Sequence, residues 1–152
     1  MISPASIDET APYCSSEEIE TLVRDFESCT LPGKMWTHYA HLTVALWYLT
    51  RHDQEEATTL IRDGIQRYNH SRGIITTKEN GYHETITLFS IWAIKRYLVG
   101  APAGGSILDL TSGLISSGFG DRRFPLEYYS RDLLFSWEAR IGWVEPDLKP
   151  LV

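Results

Sequence analysis

In stretch after stretch of this chain, apolar residues recur every three or four positions, and nowhere do they alternate over the length a strand needs. A 3.6-residue repeat lines apolar side chains along one helix face, whereas a half-buried strand needs a repeat of two, so the pattern predicts an all-α fold. Start and stop signals bracket the runs. Ser15-Ser16-Glu17-Glu18 fits a capping box ahead of Ile19, Leu22, Val23 and Phe26, predicting a helix over 16–28 that Leu31-Pro32-Gly33 ends. A second run extends from position 36 or 37 to 52. Asp53 then caps a third, in which Ala57, Leu60, Ile61, Gly64, Ile65 and Tyr68 draw one stripe, up to Ser71-Arg72-Gly73. The segment 82–99 is apolar nearly all round and is expected to be the central, most buried helix. After the Gly- and Pro-rich break at 100–105, Ser106 opens a short helix, and Phe124-Pro125 starts a last one over 126–141, because proline suits a first turn. The expectation is a compact bundle of about six helices, neighbours antiparallel, with an extended tail that folds back to cover Trp143 and Leu148.

With 152 residues, the chain has room for one core, read here as a single helical domain over 15–152 behind a flexible N-terminal segment, 1–14. A net charge of −6, with no basic run longer than Arg122-Arg123, argues against a nucleic-acid partner. The most apolar stretches, 42–49 and 86–94, fall short of the roughly 18 residues a membrane span requires. The start carries Asp8 and Glu9 with no basic or apolar region, unlike a secretory signal, which predicts a cytoplasmic protein. Cys14 and Cys29 have neither a disulfide-framework nor a metal-ligand spacing and are expected to be reduced thiols. Five Trp, eight Tyr and five Phe supply flat, rigid groups for packing or for the wall of a small-molecule pocket.

Three segments stand out together: Trp36-Thr37-His38-Tyr39-Ala40-His41-Leu42, Gly81-Tyr82-His83-Glu84-Thr85-Ile86-Thr87, and Tyr128-Tyr129-Ser130-Arg131-Asp132 running on to Trp143-Val144-Glu145-Pro146-Asp147-Leu148. In these motifs the chain resembles a family of small bacterial helical proteins. The resemblance assigns no activity and no catalytic residue.

His38 and His41 are three apart, and on a helix such residues have Cβ atoms about 5–6 Å from each other, close enough to share an ion. Positions 38, 41, 42, 45 and 49 form one stripe, and Leu42, Ala45 and Leu49 on it are apolar, so both rings are expected to face inward. His83 opens the apolar segment beside Glu84 and four residues after Glu79. Three histidines, or two with a glutamate, suit a mononuclear divalent transition metal, zinc or iron, with an open position for substrate. The preferred reading is therefore a metal-dependent enzyme for a small organic molecule. In it His38, His41 and His83 are ligands, Glu84 is a ligand or an acid or base of raised pKa, and Arg131 and Tyr82 stand on the substrate side.

Plainer readings run beside it. The histidines can cap backbone groups or bond to polar neighbours in the core, and His52 and His70 sit at helix ends with no assigned chemistry. Without a metal, His83 or His41 would act as a general base, with Arg131 or a tyrosine hydroxyl facing the developing anion. Arg131 and Glu138, seven apart, either pair to lock helices together or leave Arg131 to clamp a substrate carboxylate. From another class comes a non-catalytic helical module whose aromatic groove holds a small ligand or a partner helix.

Overall fold

In the computed structural model, which describes residues 12–152, helices begin where a side chain can occupy the first free backbone amides. Ser15 accepts from the amide of Glu18 at 3.2 Å and opens α1 (Ser16–Glu27). Thr37 accepts from Ala40 and opens α2 (His38–Leu49), and Asp53 accepts from Glu56 and opens α3 (Gln54–Ser71). α4 (Glu84–Gly100) starts on a less usual cap, His83, and α5 (Ile107–Ser116) on Ser106. The described residues hold helices and no strand, and none of the helices is long and apolar enough to cross a membrane. Most of the expected flexible segment, 1–14, lies outside the described residues.

The single last helix expected over 126–141 is broken. A 3-10 turn, Phe124–Glu127, is followed by two short helices, α6 (Arg131–Leu134) and α7 (Trp137–Ile141). Ser130 Oγ accepts from the amide of Leu133 and Ser136 Oγ from that of Ala139, so each serine restarts the helix instead of continuing it. Pro125 does sit in the first turn, as expected.

Two apolar clusters hold the molecule together. The larger joins α1, α2, α3 and α5 with the inner side of α4 around Phe26, Leu46, Tyr68 and Ile94. The smaller gathers Tyr129 and Leu134 against Phe89 and Ala93 of α4. Complete burial of side chains such as Phe26 or Leu46 stabilises by roughly 1.5–3 kcal/mol each. The most enclosed helix is α2, not α4. From Ala40 to Leu49 only His41 and Trp47 of α2 keep partial exposure, while the last turn of α4 runs past the core and leaves Val99 88% exposed.

The tail folds back onto the smaller cluster through polar anchors. Thr85 Oγ1 donates to the carbonyl of Gly142 at 2.8 Å and accepts from the amide of Val144 at 3.2 Å. Tyr129 donates to the Val144 carbonyl, Asp147 accepts from the Ser130 amide, and the Leu148 amide donates to Tyr128. Trp143 and Leu148 nonetheless stay 38% and 57% exposed, so the backbone is what the tail secures.

Candidate functional site

Between the two clusters lies a cavity of about 650 Å³. Its apolar floor comes from both, with Leu42 and Ala45 of α2, Ile61 and Ile65 of α3, and Phe89 and Ala93 of α4. Residues 119–126 and the start of α6 close the other side. His38 and His41 both line it, so the α2 stripe does face inward. The tail from Trp143 to Leu148 contributes nothing to the wall.

Each histidine is fixed by one bond to a backbone carbonyl, which can only accept, and that fixes the tautomer of the neutral ring. His41 Nδ1–H donates to the Thr37 carbonyl at 2.8 Å, leaving Nε2 as the unprotonated nitrogen with no hydrogen-bond partner among the described residues. The His41 ring packs at a tilt against Trp36 with 3.8 Å between centroids, and Trp36 stacks on Phe26 at 4.7 Å. The ring is thus anchored to the main core. Burial pushes the His41 pKa down from 6.5 to about 4; the Thr37 bond opposes this, and the charges of His38 and Arg122 reinforce it. His38 Nε2–H donates to the Gly120 carbonyl at 2.9 Å. Burial also lowers the His38 pKa, with the Gly120 bond opposing and Arg122 assisting. Gly120 can present its carbonyl there because it packs hard against α5: a Cβ would stand 3.0 Å from Ile115 Cα.

Tyr82, His83 and Glu84 belong to a separate structural assembly outside the cavity wall. His83 is buried, with Nδ1 accepting from the amide of Ile86 at 3.1 Å and Nε2–H donating to the Leu134 carbonyl at 2.8 Å. Both of its ring nitrogens are therefore used, one to cap α4 and one to tie α4 to α6. Glu84 accepts from Arg62, Nε to Oε1 at 3.1 Å and Nη2 to Oε2, and from the Tyr82 hydroxyl at 2.6 Å. The raised pKa expected for Glu84 is reversed. Burial works upward, but the bonds from Arg62 and Tyr82 prevail and hold the carboxyl below its ordinary value, while the Tyr82 hydroxyl is pushed up by burial and by Glu84. Among the described residues, no three His, Cys, Asp or Glu side chains are grouped so as to hold a metal ion.

Arg131 lines the cavity and is exposed, with its guanidinium 6.0 Å from the Phe135 ring centre. It makes no ion pair with Glu138, because the helix break at Ser136 removes the shared face that a seven-residue spacing would give. Sequence reasoning missed three groups. Arg62 holds Glu84, and Arg140, 8% exposed, donates from Nη1 to the Gly81 carbonyl at 2.9 Å; neither stands out from its neighbours in sequence. Arg122 and Arg123 belong to the cavity wall, and their signal was visible as the longest basic run in the chain.

Comparison with protein-family models, with curated proteins and with solved structures gives no match for this chain.

Proposed function

We propose that the protein takes a small, largely apolar organic molecule into this cavity and orients it by a hydrogen bond to His41 Nε2. The observation that carries the reading is the hollow itself, about 650 Å³ between two apolar clusters. Domain interiors contain few voids larger than a water molecule, and ligand sites occupy roughly 300–1,000 Å³. His41 suits the orienting role. A ring with a pKa of about 4 is neutral at physiological pH and accepts a hydrogen bond, but it is too weak a base to favour proton abstraction.

Two alanines of the wall, Ala45 and Ala93, offer the test. Native protein should bind the neutral fluorophore N-phenyl-1-naphthylamine at one saturable site per chain. Ala45→Leu and Ala93→Leu should weaken that binding about tenfold or more at less cost in stability to urea than a filled core would exact, because both alanines line the cavity and the added methyls extend toward it. In a filled core the same enlargement costs about 1–3 kcal/mol. Absence of saturable binding by the native protein, or leucine variants that are destabilised and still bind normally, would remove the reading.

A further inference from the structure

We infer that the occupant is a free organic anion, an apolar body with one carboxylate-type head held at the cavity rim by Arg122 and Arg131; this rests on the small-molecule reading above. The whole chain carries a formal charge of −6, yet this cavity is walled by three arginines, Arg122, Arg123 and Arg131, against one acidic side chain, Asp121. Asp121 is already engaged. Its Oδ1 accepts from the Arg123 amide at 2.8 Å and lies 3.7 Å from Arg123 Nε, so those two charges answer each other. Arg122 and Arg131 have no ion-pair partner among the described residues.

They also come from different segments. Arg122 is in the turn after the 118–120 3-10 piece and Arg131 is the first residue of α6, yet both line the same hollow whose floor is Leu42, Ile61 and Phe89. A planar guanidinium presents its donors as a fork that matches a carboxylate, and two uncompensated cations beside low-dielectric walls concentrate anions there. A lining that combines apolar side chains with two guanidiniums lacking an ion-pair partner among the described residues is the complement of a medium-length aliphatic or aromatic acid.

The experiment uses the full chain with N-phenyl-1-naphthylamine bound and compares decanoate with 1-decanol as displacers. Decanoate should displace the probe at about tenfold lower concentration, the order expected for one charge-assisted hydrogen bond, and rising sodium chloride should erode that preference. In the Arg122→Gln/Arg131→Gln double variant the two competitors should become equal while the probe binds as before. An Arg51→Gln/Arg96→Gln variant, with the same change in net charge, should keep the preference. Equal displacement by both competitors in the native protein, or displacement by neither, overturns the anion inference and leaves the cavity reading standing. Failure of the probe itself to bind removes both.

Discussion

Mutating His41 to glutamine is expected to make the protein less sensitive to mild acid. In the folded chain the ring has a pKa of about 4, against 6.5 for an unperturbed histidine. Below pH 6.5 the unfolded chain therefore takes up a proton that the folded chain refuses, so stability is intact above that pH and falls progressively between 6.5 and 4. At about 1.36 kcal/mol per pH unit of difference, the penalty from this ring reaches about 2 kcal/mol at pH 5 and about 3 kcal/mol below pH 4. His38 and His83 are shifted in the same direction and add to the loss, but they are present in both proteins and cancel in the comparison. Glutamine cannot titrate, and its loss of the Nδ1 bond to the Thr37 carbonyl is present at both pH values and cancels in the comparison. Urea unfolding at pH 7.5 and pH 5.0 should thus show the wild type losing about 2 kcal/mol more than His41→Gln, and ring resonances should place the His41 midpoint well below 6. Equal losses in the two proteins, with His41 titrating near 6.5, would refute the argument that burial against Trp36 holds the ring neutral.

Glu84→Gln should cost about 1 kcal/mol at pH 7, a figure kept small because Arg62 is 39% exposed and solvent screens the pair. The Glu84 pKa is lowered in the fold, so this contribution is present above the ordinary carboxylate value and is lost as the pH falls from there through the lowered folded value, where the two unfolding curves should converge. Gly64→Ala should destabilise by about 1–3 kcal/mol despite the better helix propensity of alanine, since the new Cβ would stand 2.8 Å from the ring of Phe26, which is buried and stacked on Trp36; unchanged thermal stability would contradict this. His83→Ala should cost about 2–3 kcal/mol by uncapping α4 and orphaning the Leu134 carbonyl, and His83→Asn should recover the capping part, about 1 kcal/mol, in urea unfolding. Elemental analysis of the native protein beside His83→Ala also decides the metal expectation, because a stoichiometric zinc or iron present in the first and lost in the second would restore the three-histidine site.

How far the fold could be read from the sequence depends on how local its causes are. Ser15, Thr37, Asp53 and Ser106 each act on the amide three residues away, so the starts of α1, α2, α3 and α5 are legible from nearby letters. The same physics at Ser130 and Ser136 breaks the segment 126–141, over which the apolar period predicts one helix: the period runs on through it, and the serines outcompete that continuation. The exposed end of α4 shows a further limit. Periodicity reports which residues would rather be buried, whereas the length of the neighbouring helices decides how much of α4 finds a partner.

The candidate site divides along the same line. His38, His41, Leu42 and Ala45 share one helix, so helical geometry alone carries them to one cavity wall. Tyr82, His83 and Glu84 looked equally suggestive, but their roles were set by groups remote in sequence, the Leu134 carbonyl 51 positions ahead and Arg62 22 positions behind, and no local spacing encodes either meeting. What those meetings accomplish is mechanical. They pin the start of α4 to α3 on one side and to α6 on the other, and α3, α4 and α6 are three of the cavity's walls. The ties thus hold the cavity's walls in place around His41, packed against Trp36, His38, bonded to the Gly120 carbonyl, and two arginines with no ion-pair partner among the described residues, which is the rigidity that the proposed small-molecule reading requires.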